Sequence, residues 1–181
     1  MLGAHLVFLD ESGFSLIPSV KKTWAFRGHT PLLRYLYKQD KISAFNALTV
    51  SPKRKRLALY VRLRAHNLTG LDALSFLRHL LRHIQGPIVL LWDNGTIHKR
   101  REVKDFLARR FRLHVEWFPA YAPELNPAEL VWAKNDSDLA NSAPQNLRVL
   151  HKNLRSSVSR VEKSQKLLWS CIHASDLPWR R

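Results

Sequence analysis

The sequence predicts an α/β fold in which a five-stranded mixed sheet, three antiparallel strands and then two parallel ones, is flanked by helices. Short apolar runs bounded by turn formers occur five times along the chain, and segments with helical spacing separate the later runs. The first three runs follow one another without a helix, which is typical of an antiparallel meander. The last two alternate with helices, which favours parallel strands at the other edge.

The five strands are predicted from their apolar character and from the turns that bound them. They are expected at Leu6–Asp10, Ile42–Val50, Leu57–Arg64, Ile88–Trp92 and Leu113–Phe118. A further short strand is a candidate at Thr23–Arg27, within a segment that is otherwise rich in turn formers. The basic turn Ser51–Arg56 is predicted to join the second and third strands as a hairpin.

Four segments are predicted to be helical. They are Leu71–Ile84, His98–Arg110, Ala128–Leu139 and Gln145–His173. The first has the apolar spacing of an amphipathic helix, and the last is strongly basic. The third follows Asn126, a good N-cap, and Pro127, which suits the first helical position.

The charge of the chain indicates a nucleic-acid partner. Its 181 residues include 30 Lys+Arg and 14 Asp+Glu, for a formal net charge of +16. A globular protein this basic usually binds a polyanion, because contacts to phosphates release counterions. RNA-binding proteins satisfy this inference as well as DNA-binding ones do, so the charge alone does not indicate an enzyme.

The length fits one domain, with a core at about residues 4–140 and basic C-terminal helices at about residues 145–175. The single cysteine, Cys171, cannot form a disulfide within the chain. Apolar stretches such as Ile88–Trp92 are too short to span a membrane, and the N-terminus has no charged signal-peptide region. We therefore expect a cytoplasmic protein with no membrane partner.

Two apolar strands each deliver an aspartate at their ends, Asp10 and Asp93. If these strands are parallel neighbours, both carboxylates emerge at the edge of the sheet where α/β proteins bind ligands. Two such carboxylates repel each other, and a hard divalent cation such as Mg²⁺ or Mn²⁺ removes the conflict. Asp also commonly starts turns, so each residue alone is weak evidence. Nucleotide hydrolysis would need a phosphate-binding glycine loop, which this sequence lacks.

A third acid, Glu129, falls in the first turn of a predicted helix after a proline-rich segment. The prolines restrict how the chain approaches that helix, so the carboxylate can be aimed at the sheet edge. An acid in a first turn also complements the helix dipole, which is the structural alternative.

Four segments of the sequence resemble a known family in their order and spacing. They are Phe8–Phe14, Thr23–Pro31, Leu91–Lys99 and Pro119–Trp132. The sequence is similar to the insertion-sequence branch of the mariner-like transposases, in the retroviral-integrase superfamily. The 35 residues between Asp93 and Glu129 are close to the spacing of that branch. The resemblance implies a ribonuclease-H-like fold and a DDE-type transposase catalytic domain.

The resemblance also implies roles for individual residues. Asp10, Asp93 and Glu129 take the places of the catalytic, metal-binding triad, which holds two Mg²⁺ or Mn²⁺ ions. Three further motif residues are expected to line or shape the site: Asn94, His98 and Asn126. The implied reaction is hydrolysis of DNA at transposon ends, followed by attack of the freed 3′-hydroxyl on target DNA. The implied assembly is a homodimer that brings two ends together.

Basic residues near these motifs are candidates for phosphate contacts. They are Lys99, Arg100 and Arg101 after the Asp93 motif, and Lys53 and Arg54 in the predicted hairpin. Solvated surface charge is the alternative for both groups. Glu11 adjoins Asp10, but it should point to the opposite face of the strand and is not expected to bind metal.

The chain begins close to the first predicted catalytic strand, whereas full-length relatives begin with helix-turn-helix modules. We therefore expect no such module in this sequence. We expect instead an N-terminal DNA-binding segment that is either a separate chain or joined to this one by frameshifting. Two alternatives stay open: a non-catalytic DNA-binding remnant or regulator of a transposable element, and a structural nucleoprotein without a metal site. The family resemblance implies a bacterial, nucleoid-associated protein.

Overall fold

The computed structural model describes residues 3–35, 38 and 40–179. Five strands are present: β1 (His5–Ser15), β2 (Lys41–Val50), β3 (Leu57–Arg64), β4 (Ile88–Trp92) and β5 (Leu113–Trp117). The helices are α1 (Gly70–His83), α2 (Arg101–Ala108), α3 (Pro127–Leu139), α4 (Leu147–Glu162) and α5 (Gln165–Ala174). A short 3₁₀ turn, Pro123–Leu125, precedes α3. Within the described residues, no helix has the length and apolar content needed to cross a bilayer.

The strands form one mixed sheet in the order β3-β2-β1-β4-β5. The pairs β1–β2 and β2–β3 are antiparallel, whereas β1–β4 and β4–β5 are parallel. This arrangement confirms the predicted sheet, including the antiparallel meander at one edge. The first strand is longer than predicted and continues past Asp10 to Ser15, because β2 pairs with it over its whole length.

Helices cover both faces of the sheet, so the alternating side chains of β1 enter different cores. Val7 and Leu9 pack with α1 and α2, whereas Phe8 packs with α3 and α5. A third cluster joins Phe14 to Trp132 of α3 and to α4. By the same alternation, Asp10 faces the α3 side and Glu11 faces the α1–α2 side.

The predicted helices differ from the observed ones at two places. The helix predicted from His98 begins only at Arg101, because the preceding residues form turns that fold His98 inward. The basic region Gln145–His173 is divided into α4 and α5, and the side chain of Ser164 caps the second helix by accepting from the Leu167 amide. The helix α3 runs through its weak helix formers, since buried Asn135 accepts a hydrogen bond from Ser157 of α4.

The candidate strand at Thr23–Arg27 is wrong. The structure has an irregular, exposed segment there, and Trp24 is 100% exposed. An isolated β-like run forms no strand without a neighbouring strand to pair with, and both edges of the sheet lie elsewhere.

Candidate active site

Asp10 lies in the middle of β1 and is buried, with 7% of its surface exposed. Burial raises the pKa of its carboxyl most, followed by a hydrogen bond with Glu129 and by the negative charges of Glu129, Glu11 and Asp93. The Oδ2 atom of Asp10 is buried without a hydrogen-bond partner among the described residues. A buried carboxyl with an unused oxygen, crowded by acids, is favoured as an anion only if a cation is supplied.

Asp93 follows β4 directly and stands level with Asp10. The parallel pairing of the two strands matches Phe8 with Leu91, and two further residues along each strand lead to Asp10 and Asp93. The parallel pairing of β1 and β4 therefore brings Asp10 and Asp93 side by side, as the sequence predicted. Unlike Asp10, the Asp93 side chain is half exposed.

Glu129 reaches the same place from α3. Asn126 caps this helix by accepting from the Ala128 amide, and its side chain also donates to the carbonyl of Leu9, the neighbour of Asp10. The predicted N-cap is thus confirmed, and it also ties the first turn of α3 to β1. Asp10, Asp93 and Glu129 line one cleft of about 380 Å³, together with Asn94, Gly95, Asn126 and the segment 118–123.

His98 lies beneath this cleft and is 1% exposed. Its Nε2 atom is 2.5 Å from Oδ1 of Asp93, and its ring lies 3.7 Å from the Trp92 ring between centroids. The hydrogen bond with His98 is the main reason that the pKa of Asp93 is lowered, and it outweighs the effect of burial. His98 therefore keeps Asp93 ionised and fixes its orientation.

Glu11 belongs to the same neighbourhood, which the sequence reasoning missed. Its side chain points to the α1–α2 face as expected, but there it accepts from Trp92 Nε1 at 3.1 Å and lies 3.6 Å from His98 Nε2. Burial and the charge of Asp93 raise its pKa to about 8. The alternation of side chains along β1 predicted the correct face for Glu11. The turn that brings His98 to the same face has no recognisable sequence pattern, so their proximity was not predicted.

Two donor sets that share Asp93 could hold a cation. The first is Asp10, Asp93 and Glu129, which line the open cleft. The second is Glu11, Asp93 and His98, whose ligand atoms all lie within 4.8 Å of one another. The first set is accessible to a phosphodiester and consists only of carboxylates, which suit Mg²⁺ and Mn²⁺. The second set includes the buried imidazole of His98, which is already hydrogen-bonded to Asp93. Its role is therefore to hold Asp93 in position for the first set.

Gly95 lets the turn after β4 close over this pair. A Cβ atom at this position would lie 3.1 Å from His98 Nε2 and 3.3 Å from Asp93 Oδ1. The Gly95 amide also donates weakly to the same Oδ1 at 3.4 Å. Neither of the described hydrogen bonds of Asp93 uses Oδ2, so one carboxylate oxygen is fixed and the other stays available.

The candidate DNA contacts fall in two separate places. Lys99, Arg100 and Arg101 are exposed at the start of α2, a few residues from Asp93. Lys53 and Arg54 are exposed in the β2–β3 hairpin, next to Val50, which pairs with Leu6. Leu6 is four residues from Asp10, so the hairpin lies roughly 13 Å or more along the strand from the acids. The structure does not bring Lys53 and Arg54 to the cleft.

Three acids in one cleft at the carboxyl edge of the parallel strands form the kind of donor set that could hold the divalent ions used in phosphoryl transfer. The chain belongs to the DDE superfamily endonuclease family, whose sequence profile matches residues 5–150. In a comparison with proteins of curated function, no protein matches the chain.

Solved structures share this fold at low sequence identity. The Mos1 mariner paired-end complex with Mn is 21% identical, with a TM-score of 0.68 over 93% of this chain and 51% of that one. The catalytic domain of Mos1 mariner transposase is 17% identical, with a TM-score of 0.60 over 93% and 75%. The HTLV-2 integrase catalytic core domain in complex with magnesium is 13% identical, with a TM-score of 0.53 over 94% and 97%. The predicted ribonuclease-H-like fold is confirmed, and the chain spans about half the length of the Mos1 chain in the paired-end complex.

Proposed function

We propose that this chain is the catalytic domain of a DNA transposase, with Asp10, Asp93 and Glu129 as its catalytic residues. The observation that carries the proposal is the convergence of three carboxylates, from β1, from the end of β4 and from α3, on one cleft. Burial raises the pKa of Asp10 most, and the hydrogen bond with Glu129 and the negative charges of the neighbouring acids raise it further. Such an arrangement is retained where the repulsion is used to bind cations.

The residues present fit two divalent ions, Mg²⁺ or Mn²⁺, held by Asp10, Asp93 and Glu129. The buried, unpartnered Oδ2 of Asp10 and the unused Oδ2 of Asp93 are the oxygens that support this fit. When bound, such ions supply charge neutralisation for the attacking and leaving oxygens of a phosphodiester.

The other residues of the site keep the three acids in position. Asn126 anchors the first turn of α3 to β1 and so holds Glu129 beside Asp10. His98 fixes Oδ1 of Asp93 from below. Asn94 is exposed at the rim of the cleft, where its amide can hydrogen-bond a DNA phosphate. Lys99, Arg100 and Arg101 would extend this contact along the DNA backbone.

We further propose that the substrates are transposon ends and target DNA, bound in the cleft in turn. Two solved structures of similar fold, the Mos1 paired-end complex and the Mos1 strand transfer complex, support this assignment by their described assemblies. In this proposal residues 1–181 form one catalytic domain that works as a homodimer. Recognition of the ends is assigned to a DNA-binding segment outside this domain.

The test is nicking of supercoiled plasmid with Mn²⁺ by the parent chain and by Asp93→Asn, with DNA binding measured in parallel by gel shift. Asp93→Asn keeps the size of the side chain and removes the charge. Glu116→Gln is the matched control, because Glu116 is an exposed acid on the neighbouring strand β5 and does not line the cleft.

We expect nicking by the parent and by Glu116→Gln, none by Asp93→Asn, and equal DNA binding by all three. Binding without nicking by the parent would contradict the catalytic proposal and would favour a DNA-binding remnant or regulator. Equal nicking by the parent and Asp93→Asn would contradict the assignment of the acids.

A further inference from the structure

A second basic feature lies between α1 and α2, on the face of the sheet opposite α3. It is a groove of about 420 Å³ whose lining includes Arg78, Arg82, Arg110 and Arg112 around the ring of Phe106. We call it the arginine groove. It was not apparent from the sequence, because two of these arginines come from α1 and two from the turn between α2 and β5, and only the fold brings them together.

The guanidinium groups of the arginine groove are held in place from below. Arg78 and Arg110 both lie over the ring of Phe106, with their Cζ atoms 5.6 Å and 4.7 Å from its centroid. Stacking on an aromatic ring orients a guanidinium group and leaves its N–H edge free for a bidentate anion. Arg112 has a different role, because it donates to the carbonyls of Ile84 and Gly86 at 2.7 Å and 3.0 Å and so secures the end of α1.

No carboxylate neutralises these charges among the described residues, where no ion pair involves Arg78, Arg82 or Arg110. The nearby acids are occupied elsewhere. Asp72 pairs with Arg64 and His66, Asp105 with Arg101, and the Glu102 carboxylate lies against Gly70.

A guanidinium group of the sheet adds positive charge beside the groove. Arg62 of β3 donates to Ser75, which lines the groove, at 2.6 Å. Burial, together with the charges of Arg64 and Arg82, lowers the pKa of Arg62. Arginines that repel one another and have no ion-pair partner, as Arg78, Arg82 and Arg110 do among the described residues, have a strong affinity for an anion with several acceptor oxygens.

We propose that the arginine groove binds backbone phosphates of duplex DNA at a site separate from the catalytic cleft. The groove lies at the amino edge of the parallel strands, since Arg82 precedes β4 and Arg112 precedes β5. The acids lie at the carboxyl edge, and a five-residue strand spans roughly 16 Å. The phosphate bound here is therefore not the one at the acids, and the groove holds a different stretch of DNA.

The chemistry of the groove favours a duplex over a single strand. Single-strand sites combine cations with exposed aromatic faces on which bases stack. In the arginine groove the Phe106 ring is buried and covered by two guanidinium groups, so it offers no stacking surface. Phe111 is fully exposed beside Arg110 and Arg112, and a base could stack on its ring, so single-stranded DNA is included in the test.

The experiment compares DNA binding by Arg78→Gln/Arg110→Gln with that of the parent chain, by fluorescence anisotropy in EDTA. A charge-matched control is Lys22→Gln/Lys166→Gln, which removes two exposed positive charges outside the groove and outside the β2–β3 hairpin. A second variant, Arg78→Lys/Arg110→Lys, keeps the charge and guards against effects on folding. Each protein is titrated with a short duplex, and with one of its strands, between about 50 mM and 200 mM salt. Because EDTA removes divalent ions, the result does not depend on catalysis.

For the duplex, the slope of log K against log salt concentration becomes shallower by about 0.9 for each phosphate contact that is lost. The glutamine variant lacks two such contacts, so its slope should be shallower by about 1.8 and it should bind the duplex several-fold more weakly. The control and the lysine variant should keep the parent slope. An unchanged slope in the glutamine variant would overturn the proposal, and so would an equal loss in the control. A loss confined to single-stranded DNA would overturn the assignment to duplex DNA.

Discussion

Asn46 of β2 stands directly opposite Asp10 of β1, and its side-chain amide donates to the carbonyl of Ala128 at 2.9 Å. Ala128 precedes Glu129 in the first turn of α3. One fully buried amide therefore links the strand position of Asp10 to the helix that carries Glu129. Asn126 makes the complementary link, from the same turn of α3 to Leu9 of β1. The separation of Asp10 and Glu129 is thus set by two hydrogen bonds across the core.

Replacing Asn46 with alanine should lower both stability and plasmid nicking. The change removes a buried side-chain hydrogen bond to the Ala128 carbonyl, which costs about 0.5–1.5 kcal/mol in the free energy of unfolding. Nicking should fall further than stability explains, because Glu129 is no longer fixed relative to Asp10. The measurements are chemical denaturation and nicking with Mn²⁺ at a temperature where both proteins are folded.

Thr49→Ala is the matched control for Asn46→Ala. Thr49 is a buried polar residue of the same strand, and its hydroxyl donates to the carbonyl of Ala58 on β3, away from α3. It should lose stability without a specific loss of nicking. Equal nicking by the two variants would contradict the positioning role of Asn46.

His98→Gln should reduce nicking by about 10- to 100-fold, the usual effect of removing a residue that orients a metal ligand. The reason is the loss of the hydrogen bond that fixes Oδ1 of Asp93 and lowers its pKa. DNA binding should be unchanged. The matched control is His114→Gln, because His114 also contacts an acid, Glu116 at 2.9 Å, but at the surface. Loss of nicking in both variants would show that the effect is not specific to the site.

The sequence predicted that Asp10, Asp93 and Glu129 would come together, because their placement depends on local rules. Each aspartate follows an apolar run, and the parallel pairing of β1 and β4 places Asp10 and Asp93 level with each other. Asn126-Pro127 begins a helix that carries Glu129. The roles of Asn46, Glu11 and the arginine groove depend on cross-strand register and on contacts between distant helices. The position of Lys53 and Arg54 relative to the acids could not be predicted either, because a basic hairpin has the same sequence pattern at either end of a sheet. The register between β1 and β2 shows that the hairpin of Lys53 and Arg54 lies far from the acids.

Gly95→Ala should lower nicking although the change adds one methyl group at a partly exposed turn. The new Cβ would approach His98 Nε2 to 3.1 Å and Asp93 Oδ1 to 3.3 Å, so the hydrogen-bonded pair must separate to make room. Gly13→Ala, in β1, is the control, since its Cβ would meet only the end of the Lys41 side chain at 4.0 Å. Nicking assays of both variants against the parent test this prediction, and full activity of Gly95→Ala would refute it.

Without divalent ions, the stability of the protein should fall as the pH rises from about 4.5 to about 8. The ordinary pKa of Glu11 is 4.5, and burial with the charge of Asp93 raises it to about 8 in the folded chain; the pKa of Asp10 is raised as well. Between these values the folded state binds more protons than the unfolded state, so the free energy of unfolding decreases with increasing pH. Mn²⁺ should restore stability at pH 8, because it replaces the protons at the cleft.

The double variant Asp10→Asn/Glu11→Gln should show a flatter dependence of melting temperature on pH and little stabilisation by Mn²⁺, since it no longer loses protons from these two sites. A shift of 1 kcal/mol corresponds to about 2–4 °C in a protein of this size, which thermal unfolding in EDTA or Mn²⁺ resolves. Glu116→Gln, which removes an exposed acid, should keep the parent dependence. If the parent is equally stable at pH 5 and pH 8 in EDTA, the buried acids are not protonated as the structure requires.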